Sequence, residues 1–242
     1  MLERMIFQGH RYKKIIAISE LVKQNILTHY HIPESDIEVI YNGVDLERFH
    51  PGNRGRYREE IRNKHGISES DFVILFVGSG FERKGLRFLL KAAELIPQRV
   101  TVLIAGRGSE KIYNCKGKKQ NIIFCGPQKD IHKYYAASDI FVFPTVYEPF
   151  GNVHLEALAS GLPVITTNQS GAAEIIDNGL HGFVIPSPED CTAIAERIRF
   201  LLENPDQRKS ISFNARKRAE EFSYERFLNN ILNIYESLAG KK

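Results

Sequence analysis

Long apolar runs are missing from this 242-residue chain, and none approaches the ~18 consecutive apolar residues of a membrane-spanning helix. Cysteine is scarce. Cys115, Cys125 and Cys191 show neither CxxC pairing nor Cys/His spacing, so the sequence indicates no zinc site and no disulfide frame, and it fits a reducing cytoplasm. The opening MLERMIFQGHRYKK lacks the apolar core of a secretory leader. Internal repeats and low-complexity segments are absent too. What is present is an ordinary globular composition, 43% apolar and 26% charged, long enough for one large domain or two small ones.

The net charge of +4 is mild but unevenly spread. Arg54, Arg56, Arg58, Arg62 and Lys64 form one basic run; Arg107, Lys111, Lys116, Lys118 and Lys119 form a second. Such runs are most often solvated faces. The sharper alternative is attraction to anionic lipid, hence peripheral contact with an inner membrane, or to a phosphorylated acceptor. No aromatic interleaving accompanies the charge, so no nucleic-acid partner is expected.

Pattern reading gives a strand at residues 15–18 and a helix from Ser19 or Glu20 to about Tyr30, with Ser19 as N-cap. A strand at residues 37–41 then ends at Asn42-Gly43, read as a tight turn. From Phe72 onward strand and helix alternate, which predicts an α/β fold: a Rossmann-like parallel sheet with helices on both faces. Strands are expected at 72–77, 100–105, 121–125, 140–143, 163–166 and 183–185, and helices at 85–96, 131–137, 151–160, 172–177 and 188–203. Two more helices follow, broken near Phe222-Ser223.

Two stretches carry chemistry. Val77-Gly78-Ser79-Gly80-Phe81-Glu82-Arg83-Lys84-Gly85 leaves a buried strand and opens a helix, where open α/β sheets bind ligands. Its glycine spacing is neither GxGxxG nor a P-loop, since Leu86-Arg87 stands where Lys-Ser/Thr is required. It does offer two cations, Arg83 and Lys84, able to fork onto phosphate oxygens and to add a point charge. The second stretch, Thr145 to Thr167, places Glu148 in a turn and Glu156 within a helix. Between them Phe150-Gly151-Asn152-Val153 presents backbone N–H groups at the helix start, a ready anion site. Carboxylates flanking that site suit vicinal sugar and ribose hydroxyls as bidentate acceptors. A nucleotide-sugar fits the combination.

Glu148-x7-Glu156, with Phe150-Gly151, Leu155-Glu156-Ala157 and the following Gly161-Leu162-Pro163-Val164, resembles the donor-site signature of the retaining glycosyltransferases of family 4, which have the two-domain GT-B fold. The Gly78–Gly85 loop is similar to the family segment that holds the donor diphosphate. Many members carry Arg where Ser79 stands; the lipopolysaccharide core glucosyltransferases of the family, with Gly-Ser and then Arg-Lys-Gly, look most similar. The resemblance implies UDP-glucose or a related donor, with Arg83, Lys84 and Glu148 as catalytic groups. Gly78, Ser79, Gly80, Gly106, Gly126, Pro127, Phe150, Gly151, Asn152, Val153 and Glu156 complete the implied donor site. Within it Glu148 holds the sugar, Glu156 the ribose, and backbone near Gly126 and Pro127 the base. No Asp-x-Asp occurs, so neither a metal nor another cofactor is expected.

In family terms IEVIYNGVDLERFHP resembles the interdomain crossing, and the resemblance implies that its Asn42-Gly43 turn faces the cleft. Residues 1–45 are then the remnant of an N-terminal domain otherwise missing, 46–222 the nucleotide-sugar-binding domain and 223–242 a crossover helix. That helix would present Phe227, Leu228, Ile231, Leu232, Ile234 and Tyr235 as an apolar stripe without a partner. Acceptor recognition, for a saccharide or a glycolipid, belongs to the absent domain or to a separate chain that supplies it. Weaker signals are Gly106-Arg107-Gly108 (a turn, or packing beside the nucleotide), Ser138-Asp139 (a helix terminus), Gly171 (a loop able to close over the diphosphate) and His154 (packing). Three functional readings result: an active transferase half, another GT-B enzyme such as an epimerase or phosphorylase, and an inactive nucleotide-sugar-binding module.

Overall fold

The strand–helix alternation that begins at Phe72 builds a single parallel sheet. The computed structural model describes residues 2–7, 9, 11–113 and 119–240; Cys115, Lys116 and Lys118 lie outside the described residues. The first elements in chain order are α1 (Leu2–Phe7), β1 (Ile15–Ala17), α2 (Glu20–His29), β2 (Ile37–Val39) and α3 (Arg54–Lys64). Then come β3 (Val73–Val77), α4 (Leu86–Glu94), β4 (Thr101–Ala105), β5 (Asn121–Gly126), α5 (Ile131–Ala137) and β6 (Ile140–Phe143). The chain continues through α6 (Asn152–Ala159), β7 (Val164–Thr167), β8 (Gly182–Ile185), α7 (Cys191–Glu203), α8 (Pro205–Glu220) and α9 (Tyr224–Ala239).

Six strands lie in the order β5-β4-β3-β6-β7-β8, every pair parallel. The chain runs outward from β3 through β4 to β5, then returns to the far side of β3 as β6. That reversal opens a crevice outside the carboxyl ends of β3 and β6, the place where open α/β sheets bind ligands. Helices cover both faces, so β4, β6 and β7 are buried along their whole length and β3 nearly so. Edge strand β5 is half-buried throughout.

Ahead of this sheet, β1 and β2 pair in parallel and carry α2, with a separate small core of Ile15, Ala17, Ile32 and Ile37. Ser19 caps α2 as expected, accepting from Val22 N–H at 3.1 Å. The chain then crosses to the large sheet, and Val44 N–H donates to Phe222 O at 2.9 Å, beside the start of α9.

Four expectations are corrected. Asn42-Gly43 forms no tight turn; Gly43 is required because Tyr224 and Phe227 press on it, leaving a Cβ 2.8 Å from the Tyr224 ring. The segment expected as a helix at 172–177 is a single 3-10 stretch, Gly171–Ile175. The first basic run is a solvated face only in part: it is α3, with Arg54, Arg56 and Lys64 exposed but Arg62 fully buried. The α9 stripe is divided. Ile234 is buried, whereas Leu228, Leu232 and Tyr235 are exposed together with Tyr224.

Candidate functional site

Two glycines shape the crevice. Gly85 has φ +78°, and a Cβ there would lie 1.7 Å from the Pro144 carbonyl oxygen, so only glycine lets the β3 loop press against the end of β6. Gly151 has φ +85° and offers no side chain to cap α6. The first amides of a helix lack intrahelical partners, so Asn152 and Val153 present theirs where the dipole is positive. Both residues line the crevice, together with Gly78, Ser79, Arg83, Lys84, Glu148, Phe150 and Gly151. Its volume is about 540 Å³.

The loops after β3 and β6 are clamped to one another. The Arg83 carbonyl accepts from Val146 N–H at 3.0 Å and from the Thr145 hydroxyl at 3.1 Å. The Arg83 guanidinium donates to Tyr147 O at 2.8 Å and stands 3.6 Å from Glu148. Lys84 Nζ donates to Glu148 Oε2 and lies 5.4 Å from the centre of the Phe143 ring. Burial first, and then the adjacent Arg83 guanidinium, push the Lys84 ammonium down to about 8. The contact with Glu148 Oε2 favours the charged form of the ammonium. Glu148 itself is held by its backbone: its N–H donates to Gln169 O and its carbonyl accepts from Gly171 N–H, each at 2.9 Å.

His154 lies under this floor, fully buried against Phe141 and Phe143. Burial drives its pKa down to about 4, so the ring is neutral. Nδ1 lies 2.8 Å from Gly151 O and therefore carries the proton; Nε2 lies 2.8 Å from the Thr166 hydroxyl, which itself donates to Phe143 O at 3.0 Å. The ring thus fixes the Gly151 carbonyl and with it the start of α6.

Glu156 sits one turn deeper. The Tyr135 hydroxyl donates to its Oε2 at 2.9 Å; burial raises the Glu156 pKa, and that hydrogen bond and Arg48 oppose the rise. It is on α6 with the crevice amides but is not part of the crevice wall. Gly80, Gly106, Gly126 and Pro127 also stand back from the wall. Gly106 N–H donates to Gly126 O at 2.9 Å, and a Cβ on Gly106 would strike Gly78 O at 1.9 Å, so these turns stack behind the β3 loop. Ser79 Oγ accepts from Arg107 N–H at 3.2 Å and holds the same stack.

Long-range partners from the first small unit complete the site. The sequence offers Ser19 only as an N-cap and Glu174 in no role, whereas the family resemblance turns Asn42-Gly43 towards the cleft, and Asn42 does line it. Ser19 Oγ donates to Pro149 O at 2.6 Å, and Asn42 Nδ2 donates to Asn152 Oδ1 at 2.7 Å. Glu174 accepts from the N–H groups of Glu20 and Leu21 at 2.9 and 2.7 Å, closing the start of α2. Ile18 and Asn42 form the facing wall. Gly171 is wedged rather than free, since a Cβ there would lie 2.2 Å from Pro149 O and 2.5 Å from Ser19 Oγ.

A parallel sheet with its crevice at the strand reversal, walled by two cations, two helix amides and a carboxylate, defines a Rossmann-like half of a GT-B fold. The family profile described as "Glycosyl transferases group 1" matches residues 57–218, and the profile "Glycosyltransferase Family 4" matches residues 1–48. The chain belongs to the group 1 glycosyl transferases. It is 34% identical over 245 residues to the spore coat protein SA of Bacillus subtilis (strain 168), covering 92% of this chain and 64% of that protein. A glycosyltransferase from Rickettsia africae ESF-5 superposes with a TM-score of 0.85 at 28% identity, over 98% of this chain and 66% of that one. WaaG, a glycosyltransferase involved in lipopolysaccharide biosynthesis, superposes with a TM-score of 0.81 at 26% identity, over 91% of this chain and 62% of that one. The chain spans 60–64% of the length of the curated relatives it matches first.

Proposed function

We propose that the chain is the donor-binding half of a retaining, metal-independent glycosyltransferase. It takes a hexose from a nucleotide diphosphate sugar, with UDP-glucose as the donor of first choice, and passes it to a saccharide or lipid-linked acceptor such as a lipopolysaccharide core. The observation that carries the reading is the Lys84–Glu148 pair, which sets cations able to bind phosphate directly beside a carboxylate able to bind hydroxyls in one crevice.

When the bond from the anomeric carbon to the diphosphate oxygen breaks, negative charge collects on the leaving diphosphate. Arg83 and Lys84 neutralise it together with the amides of Asn152 and Val153, all held in place before the reaction. Glu148 accepts from the sugar hydroxyls. Glu156, oriented by Tyr135, accepts from the ribose. The facing wall at Ile18 and Asn42 borders the acceptor side. Similarity to WaaG favours a lipopolysaccharide acceptor among the alternatives.

Calorimetric titration of UDP and of UDP-glucose tests the reading. Arg83→Ala and Lys84→Ala each weaken both ligands by about tenfold or more, the loss of one charge-assisted hydrogen bond. Glu148→Gln weakens UDP-glucose more than UDP. Equal losses for the two ligands mean that this carboxylate does not touch the sugar.

A further inference from the structure

At the opposite pole of the sheet, where the strands begin, charge is left over. Arg54, Arg58 and Arg62 are spaced four residues apart on α3 and therefore share a face. All three converge on one carboxylate, Asp139, at 2.7, 3.3 and 3.0 Å. Asp139 also accepts from Val73 N–H at 2.9 Å, so its oxygens are fully engaged. Glu69 lies 3.0 Å from Arg58 but is 60% exposed, which leaves it screened.

Arg208, in the first turn of α8, approaches from the other side. It donates to the Leu201 and Leu202 carbonyls and lies over the Phe72 ring, 5.2 Å from its centre. Among the described residues no carboxylate lies within ion-pairing distance of it, and Lys209 beside it meets only the exposed Asp206, at 3.5 Å. Burial lowers the Arg208 pKa, Asp139 opposes this, and Arg54 and Arg58 lower it further, the mark of crowded like charge.

These cations open onto two adjoining hollows of about 320 and 440 Å³, which share Arg54, Asp139 and Arg208. Lys209 and Ser212 line the smaller, and Arg99 the larger. Ser160, at the end of α6, also lines the smaller hollow. Its Oγ is buried and has no hydrogen-bond partner among the described residues. A buried hydroxyl without a partner is uncommon and costs stability, whereas guanidinium groups are shaped to fork onto tetrahedral oxyanions.

We propose that this hollow is a second anion site, which takes a phosphate-class oxyanion between Arg54, Arg208 and Lys209 with the Ser160 hydroxyl donating to it. It is separate from the donor crevice, because the two lie at opposite ends of β3 and β6, on the order of 15 Å apart along strands of this length. The anion is either a soluble phosphate group or the headgroup of an acidic lipid.

The test uses the full chain and two probes, inorganic phosphate by calorimetry and phosphatidylglycerol-containing vesicles by cosedimentation. With the donor crevice saturated by UDP, Ser160→Ala and Lys209→Gln, which remove no bond that holds the fold, each weaken anion binding about fivefold or more. In the absence of phosphate Ser160→Ala melts at or above the temperature of the parent chain, since it deletes an unpartnered group. Phosphate binding without vesicle binding identifies the soluble source, and vesicle binding that Ser160→Ala and Lys209→Gln both weaken identifies the lipid. Binding of neither probe overturns the proposal. So does binding that both substitutions leave unchanged, which reports surface charge alone.

Discussion

Lys84 Nζ is hydrogen-bonded to Glu148 Oε2 across 64 residues of sequence, joining the loop that leaves β3 to the loop that leaves β6. Neither loop walls the crevice alone. Together they set a largely buried ammonium, an exposed guanidinium and the start of α6 around one crevice.

The first prediction follows from the ionisation of Lys84, which is pushed down to about 8, chiefly by burial. A diphosphate binds the protonated form more tightly. Affinity for UDP is therefore level near pH 7 and falls about tenfold per pH unit as pH rises past 8, until binding through the remaining groups sets a floor. Lys84→Arg keeps the charge, and its affinity stays flat across the same range. Calorimetry between pH 7 and 9.5 reads both, and a parent profile as flat as the arginine variant's would show that Lys84 does not meet the phosphate.

Gly85→Ala is expected to lose stability and donor binding together. The left-handed backbone alone costs about 1–2 kcal/mol for a residue with a Cβ. The clash with the Pro144 carbonyl adds to this, because backbone stands in the way. Gly66→Ala is the control: φ there is +64°, with nothing within 4 Å of the added methyl. Urea unfolding is predicted to show Gly85→Ala less stable than Gly66→Ala by roughly 2 kcal/mol, the usual scale of an overpacked site.

His154 gives a pH signature of stability. Its folded pKa, about 4, is below the ordinary 6.5, so between those values the unfolded chain binds the additional proton. Stability from this group is complete above pH 6.5 and is lost as pH falls towards 4, by an amount on the order of 3 kcal/mol. His154→Gln removes that slope from the urea-unfolding profile. A variant whose acid sensitivity equals the parent's would place the titration elsewhere.

What the sequence disclosed and what it hid have separate physical causes. Strand–helix alternation, the Gly78–Gly85 loop and the Glu148 to Glu156 stretch were legible, because each is written in consecutive residues. Helix α3 was not read as a helix. Its sequence RGRYREEIRNK carries almost no apolar period, and the face it buries is made of arginines whose partner, Asp139, lies 77 residues beyond Arg62. Asp139 itself read only as part of a helix terminus. Glu174 reads only as one acid of an expected helix until α2 is folded against it, and only then does it close the Glu20 and Leu21 amides. His154 was legible as a packing residue, but its hold on the Gly151 carbonyl depends on Thr166 from the next strand. Pairs brought together by the strand order leave no local pattern to read.

The most direct test is a crystal of the chain soaked with UDP-glucose and examined in difference density. The diphosphate is predicted between the Arg83 and Lys84 side chains and the Asn152–Val153 amides, with Lys84 turned from Glu148 towards phosphate and the freed carboxylate on the hexose. Density for the diphosphate at any other place on the sheet, with the Lys84–Glu148 contact unchanged, would contradict the account.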